Sequence, residues 1–288
     1  MDNMFSDMGK FGINMDDNID LFAEDKKTAK TDSNGNLAKK EATEEDYLLD
    51  KTTKCPLCDN EFKTKIIKSS KAKAIEPDKD LRPRYQGIDA NKYGATVCPR
   101  CGYAALNKFF VPLPAVQFNL IREKISYNFD GSSFKGDKAT YSYDEAIERH
   151  KLALVNSVVK KGKISERAYI CLRLGWICRG YGESLDLEME GYEEKLAECK
   201  AKEDEFLKNA LDGFLKAIMT EDYPMCGMDE ATVDYIVTNL AVRFKKFDIA
   251  SKTLGRIFAS KTASKRIKDR AYDLKVEIVE EIKKQKGV

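Results

Sequence analysis

The sequence predicts a mainly α-helical protein with a small four-cysteine module in its N-terminal half. Two observations predict this fold class. Two Cys-x-x-Cys pairs occur within residues 55–101, and from residue 142 onward apolar residues recur at helical spacing. A chain of 288 residues accommodates one large or two small domains.

The cysteine pairs are Cys55/Cys58 and Cys98/Cys101, separated by 39 residues. Four thiolates form a closed tetrahedral shell for structural Zn²⁺, so these residues are the predicted metal ligands of a zinc-ribbon-like module. Gly102 suits the left-handed backbone that such a turn requires, and Asp59 holds the equivalent position in the first pair. Two alternatives remain open, namely iron in place of zinc, and two separate redox-active thiol pairs.

Charge is distributed unevenly along the first third of the chain. Residues 1–50 carry 13 acidic and six basic side chains, and we expect them to form an acidic, disordered tail. Residues 51–112 carry 13 basic and six acidic side chains and form the predicted metal module. The tail also holds a few large apolar residues, so it is able to dock on the basic module.

Short β segments are expected on both sides of each cysteine pair. The stretch between the pairs, residues 71–89, is predicted to be an ordered loop because the metal fixes both of its ends. The basic side chains of this stretch and of the preceding segment are predicted to form one basic surface. This surface is either simply solvated or contacts the phosphate backbone of a nucleic acid. That surface comprises Lys63, Lys65, Lys68, Lys71, Lys73, Arg82 and Arg84.

A helix over residues 115–127 and a polar loop form the predicted connection, residues 113–141. The helical domain follows at 142–288 and begins at a capping box, Ser142-x-x-Glu145. Further helices are predicted over residues 165–181, 229–244 and 264–284. An additional, acidic and highly charged helix is predicted over residues 185–208.

A small–large–small pattern at offsets 0, 4 and 7 recurs three times in this domain. Such a pattern is typical of the second helix of a tetratricopeptide-type hairpin, where small residues let a neighbouring helix approach. It predicts tetratricopeptide-like repeats, with a generic helical bundle as the alternative. The three sets are Ala146/His150/Ala153, Ala210/Phe214/Ala217 and Ala250/Leu254/Ile257.

Motifs of catalysis are missing from the sequence. His150 falls on the repeat pattern and is predicted to be a packed side chain. Because it is the only histidine, a zinc motif that needs two histidines is excluded. No phosphate-binding loop or nucleophile elbow occurs. The chain holds no long apolar run and no secretory signal, and its other four cysteines are scattered. We therefore expect a cytoplasmic protein without catalytic residues or an organic cofactor.

Several segments together resemble one bacterial family, the uncharacterised domain of unknown function 2225. The segments are CPLC, the Ser69-Ser70-Lys71 stretch, VCPRCGYA, SYDEAIERHKLAL, SERAYICLRLGWICR and MDEATVDYI, and the resemblance as a whole covers about residues 50–280. The resemblance implies a cytoplasmic zinc-ribbon module followed by tetratricopeptide-like helices. It implies no established activity.

The leading hypothesis from the sequence is a non-enzymatic adaptor. Zinc stabilises the cysteine module, and the helical repeats bind a protein or peptide partner. The alternatives are a nucleic-acid-associated regulator that uses the basic module, and a thiol-based redox sensor. No membrane association and no small-molecule substrate are expected.

Overall fold

Residues 42–134 and 138–286 are described by the computed structural model of the protein. Predictions for residues 1–41, including docking of the acidic tail, lie outside the described residues. Residues 42–288 form one compact unit. Its first strand begins at Leu48, so the last residues of the predicted tail belong to this unit.

Three antiparallel hairpins make up the β structure of the described residues. Strand β1 (Leu48–Lys54) pairs with β2 (Glu61–Ile67), and β5 (Ala95–Val97) pairs with β6 (Ala104–Leu106). Each of these two hairpins carries one Cys-x-x-Cys pair in its turn. This confirms the prediction of short β segments on both sides of each pair. The third hairpin, β3 (Ala74–Ile75) with β4 (Arg84–Tyr85), lies between them in residues 71–89, hereafter the inter-cysteine loop.

Seven α-helices follow the hairpins in the described part of the chain. Their bounds are α1 (Ala115–Lys124), α2 (Tyr143–Val159), α3 (Ile164–Glu183), α4 (Tyr192–Thr220), α5 (Glu230–Arg243), α6 (Phe247–Ala259) and α7 (Lys265–Lys286). Local capping sets two of the starts, because Ser142 accepts from the Glu145 N–H at 3.1 Å and Asp229 from the Thr232 N–H at 2.8 Å.

The additional helix expected over residues 185–208 is present from Tyr192 onward, but its bounds are wrong because it continues into the next predicted segment. Residues 184–191 form turns, and α4 then runs unbroken for 29 residues through both the acidic segment and the second repeat set. Alanine, leucine, lysine and glutamate, which favour helix, dominate this stretch, and no proline interrupts it.

Consecutive helices pack side by side, with the most extensive contacts between α3 and α4 and between α5 and α6. All nine residues of the three repeat sets are buried. Close approach is visible at Gly175 of α3, where a Cβ atom would lie 2.6 Å from Leu207 Cδ2 of α4. This arrangement confirms a mainly helical fold, and assignment to the tetratricopeptide-like class stays a prediction.

The β5–β6 hairpin shares a core with the helices. Val97 and Leu106 pack in one apolar cluster with Ile170 and Leu174 of α3. A larger cluster joins α3 to α7 and includes Trp176 and Phe214. The second cysteine pair is therefore attached directly to the helical part of the molecule.

Candidate metal centre

The two cysteine turns have the same backbone geometry. Asp59 and Gly102 both take a left-handed conformation, with φ of 57° and 71°. In each turn this residue donates its N–H to the carbonyl of the first cysteine, Asp59 to Cys55 and Gly102 to Cys98, both at 3.0 Å. The predicted backbone conformation at Asp59 and Gly102 is confirmed.

Four sulfur atoms from the two turns meet in one cluster. The Sγ atoms of Cys55, Cys58, Cys98 and Cys101 all lie within 4.8 Å of one another. Cys55 Sγ is 3.6 Å from Cys101 Sγ, and Cys58 Sγ is 3.6 Å from Cys98 Sγ. A tetrahedron of sulfurs at about 2.3 Å from a central Zn²⁺ has edges of about 3.8 Å. The sulfur positions therefore fit one tetrahedral metal ion.

Apolar side chains enclose the cluster. Cys55 and Cys98 are fully buried, Cys101 is 6 % exposed, and Cys58 is half-buried. Ile121 and Ile125, on and just after α1, pack against them. Such a closed four-sulfur shell is typical of a structural metal site rather than of a catalytic site with an open position.

The thiols influence one another strongly because they are so close. Hydrogen bonding from Cys101 and then Cys55 lowers the pKa of Cys98. The Cys101 thiol lowers the pKa of Cys55, but the Cys98 sulfur and burial outweigh it and raise that pKa above its usual value. Several thiolates can coexist in this space only with a cation between them, and a coordinating metal deprotonates its thiol ligands.

Two polar side chains that the sequence analysis missed hold the second turn in place. Asn156 of α2 donates to the Gly102 carbonyl at 3.0 Å, and Ser126 donates to the Cys101 carbonyl at 2.8 Å. The signal for Asn156 was available, since it is a polar residue on the apolar face of a predicted helix and is fully buried. That Asn156 binds Gly102 could not be predicted from the sequence, because the two residues lie 54 positions apart.

The remaining cysteines do not join the cluster. Cys171, Cys178 and Cys199 are buried and Cys226 is half-buried, and all are free thiols. Burial raises the pKa of Cys171 to about 11, as expected for a side chain that packs as a small apolar group. Within residues 42–134 and 138–286, the four-sulfur cluster is the only group of such side chains placed to hold a metal.

His150 is a packed side chain, as predicted. It is fully buried, and its Nδ1 lies 2.7 Å from the Ala146 carbonyl one turn earlier in α2. Burial, together with the positive charges of Arg173 and Arg149, lowers the pKa of His150 to about 3. The imidazole is therefore neutral near pH 7.

The predicted basic surface is wrong for the arginines of the inter-cysteine loop. Arg82 is 2 % exposed and pairs with Asp89 at 3.1 Å and with Glu183 of α3 at 3.0 Å. Arg84 also pairs with Glu183. Arg82 is buried and Arg84 is partly exposed, but carboxylates neutralise both guanidinium groups, so they add little to an external patch for phosphates.

The inter-cysteine loop is anchored on α3. Asp80, 3 % exposed, accepts from Trp176 Nε1 at 3.0 Å and pairs with Arg179 at 2.6 Å. Arg179 also binds Asp78 at 3.0 Å and Glu203 of α4 at 2.9 Å. Strand β2 and residues 90–97 connect the loop to the two cysteine turns, so the sulfur cluster closes the longer segment that contains the loop, while this anchor holds the loop itself.

A groove opens beside this anchor. A cavity of about 740 Å³ is bounded by Asp78–Asp80 of the loop and by α3, α5 and α7. It presents apolar groups from Val242 and Leu274 beside the polar side chains of Asn239 and Arg243. We call it the helix groove.

Comparison with known families gives a match over most of the length of the chain. The family model of DUF2225, described as an uncharacterized protein conserved in bacteria, matches residues 48–278. The chain belongs to this family. The matched region of this DUF2225 chain includes both cysteine turns and helices α1 to α6. No curated protein and no solved structure matches the chain. None of the helices described above is long and apolar enough to cross a membrane.

Proposed function

We propose that the protein is a non-enzymatic adaptor in which a structural Zn²⁺ ion fixes the inter-cysteine loop beside a partner-binding helix groove. The proposed ligands are Cys55, Cys58, Cys98 and Cys101. The distances between their sulfurs support a tetrahedral ion, and thiolate ligands favour zinc over hard cations. Iron is the rival metal, because it also accepts four thiolates.

Four sulfur ligands leave no position for a substrate or a reactive water on the ion. The proposed role of the metal is therefore mechanical. It joins two hairpin turns that lie about 40 residues apart and so closes the segment that contains the inter-cysteine loop. Free thiols throughout the described residues suit a reducing compartment such as the cytoplasm, which is part of this proposal.

The helix groove is the observation that carries the proposed partner binding. It is open, it exceeds the volume of a side-chain packing defect, and it combines apolar and polar lining groups. A protein segment is a suitable occupant because main-chain groups of the segment can bond the polar side chains while its apolar side chains cover Val242 and Leu274. Pairing of Arg82 and Arg84 with carboxylates makes nucleic-acid binding a weaker alternative.

Site-specific photo-crosslinking in the native cell tests this function. A photoreactive residue replaces Asn239 in the helix groove, and a control places it at Val158, an exposed position on α2 outside the groove. We expect one discrete protein adduct from position 239 and none from position 158. Lys245→Glu, at the rim of the groove, should reduce the yield of that adduct. Equal adducts from both positions, or none from position 239, would contradict the proposal.

A further inference from the structure

A second cavity, on a different face of α3, has an unusual balance of charge. It has a volume of about 330 Å³ and lies between the turn at Ala90–Tyr93, the end of β6 and α3. Arg173 and Lys108 line it, together with the rings of Tyr85, Tyr93 and Tyr169. No aspartate or glutamate lines this cavity, although 48 of the 288 residues are acidic. We call it the cationic cavity.

Arg173 has no carboxylate partner in the described structure. Its Nε atom is buried and lacks a hydrogen-bond partner, and its Cζ lies 5.9 Å from the centroid of the Tyr169 ring. A side chain on Gly94 would collide with the guanidinium, so Arg173 lies against bare backbone. A half-buried cation without a counter-ion is unfavourable, and an anion in the cavity would offset that cost.

The other arginines of the same region show how unusual this is. Arg82 binds Asp89 and Glu183, and Arg179 binds Asp80. Arg173 lies six residues before Arg179 on the same helix, yet it faces a space instead of a carboxylate. The positive charge of Arg173 also lowers the pKa of the nearby His150, where it is the second-largest cause after burial.

Lys108 brings a second cation to the same ring. Its Nζ lies 4.4 Å from the centroid of Tyr169, and it donates to the backbone carbonyl of Cys226. No carboxylate pairs with this ammonium group among the described residues. The two cations therefore flank one aromatic ring and are available to a shared anion.

Asn91 adds a hydrogen-bond acceptor to the cavity, whereas Arg173 and Lys108 are donors. It is 1 % exposed and lines the cavity, and its Oδ1 atom has no hydrogen-bond partner. Its Nδ2 is already satisfied by Asp89 Oδ1 at 2.8 Å. A buried acceptor left without a donor is costly, and a hydroxyl or N–H group of a ligand would satisfy it.

From these contacts we infer that the cationic cavity binds a small organic anion. Arg173 and Lys108 hold its carboxylate or phosphate group, and a planar body lies against the tyrosine rings. Arginine and lysine are the usual partners of both anions, and the volume lies at the lower end of the range of ligand pockets, roughly 300–1,000 Å³. This site is separate from the helix groove and does not depend on the proposed adaptor function.

Calorimetric titration of the full chain with four probes tests the inference. The probes are benzoate, phenyl phosphate, inorganic phosphate and the neutral analogue benzamide. We expect benzoate or phenyl phosphate to bind and benzamide not to bind. Binding of benzoate alone identifies a carboxylate ligand, whereas binding of phenyl phosphate, with or without inorganic phosphate, identifies a phosphate ligand.

Charge-removal variants show whether binding occurs at this cavity. Arg173→Met and Lys108→Met should each weaken binding of the anion at least tenfold. Arg122→Met removes an exposed cation of α1 and should leave the affinity unchanged. Unchanged affinity in Lys108→Met and in a folded Arg173→Met would overturn the inference, as would failure of both aromatic anions to bind the parent protein at millimolar concentration.

Discussion

Asp59 and Gly102 take the same left-handed backbone for different local reasons. A Cβ atom on Gly102 would lie 2.6 Å from the Phe129 ring, so that position excludes a side chain as well as favouring glycine. Asp59 lies at the surface, where its carboxylate pairs with Lys54 at 2.9 Å. Aspartate tolerates this conformation better than most residues, and the open surroundings let it remain.

Substitutions at Gly102 and Asp59 should change the unfolding free energy by unequal amounts. Gly102→Ala adds a methyl group against Phe129 and imposes a strained backbone, so we expect a loss of about 1–3 kcal/mol of unfolding free energy. Asp59→Gly relieves backbone strain and should change stability by no more than about 1 kcal/mol. Urea denaturation of both variants measures the difference. Equal losses would show that the two turns are not constrained as described.

His150 should make stability depend on pH. Its folded-state pKa of about 3 lies below the value of about 6.5 for an unfolded chain, so the native state binds fewer protons between these values. The stabilisation is therefore fully present above about pH 6.5 and decreases as the pH falls towards 3. The shift corresponds to at most about 5 kcal/mol.

The variant that removes this effect is His150→Phe. It keeps a buried ring that does not titrate, so its unfolding free energy should decrease less than that of the parent protein between pH 6.5 and pH 4.5. Chemical denaturation at several pH values gives the comparison. Parallel pH profiles would show that His150 titrates normally in the folded protein.

Residue-level predictions succeeded where the determining contacts are local. The turn conformations at Asp59 and Gly102 follow from the pattern of the cysteine pairs themselves. The positions of Arg82 and Arg84 were not predictable, because their carboxylate Glu183 lies 101 and 99 residues away. A sequence shows that a side chain is charged, but the fold determines which charge it meets.

At the scale of elements, caps were more informative than composition. Ser142 and Asp229 mark the starts of α2 and α5 because each side chain bonds the first turn of its own helix. The bounds of the charged helix predicted over residues 185–208 were wrong, since charged side chains alone do not end a helix. The turn at Gly191, with φ of 75°, sets the start of α4, and nothing in the acidic segment stops it.

The small residues of the repeat sets should be intolerant of larger side chains. Ala210 of α4 is fully buried, and Ala210→Leu should overpack its surroundings and lower the unfolding free energy by about 1–3 kcal/mol. Met219→Leu, at a position of the same helix that is 84 % exposed, is the matched control and should have little effect. Comparable denaturation midpoints for the two variants would contradict the observed packing of α4.

At the scale of the whole molecule, the sulfur cluster and the helical core are connected through the inter-cysteine loop. The loop lies within the longer segment that the two cysteine turns close, and its middle binds α3 through Asp80. Sequence analysis predicted that the loop is ordered but not where it lies, because Trp176 and Arg179 are 96 and 99 residues from Asp80. The path of the loop is therefore a tertiary property.

Trp176, the only tryptophan, reports on this connection. If the metal is removed with a chelator, the segment that contains the loop is no longer closed and the bond from Trp176 Nε1 to Asp80 should weaken, which exposes the indole to water. We expect its fluorescence emission to shift to longer wavelength while far-UV circular dichroism retains the helical signal. Adding chelator to Cys58→Ser protein that already lacks metal is the control. Loss of metal without any shift would show that the anchor is independent of the cluster.

Direct analysis of bound metal is the most decisive measurement. Protein purified from the native cell should contain one Zn²⁺ per chain by elemental analysis, because four sulfurs lie within 4.8 Å of one another. The Cys58→Ser, Cys101→Ser double variant should lose the ion, and Cys226→Ser, which changes a half-buried cysteine outside the cluster, should retain it. Iron in place of zinc, metal-free parent protein, or full zinc occupancy in the double variant would contradict the proposed metal centre.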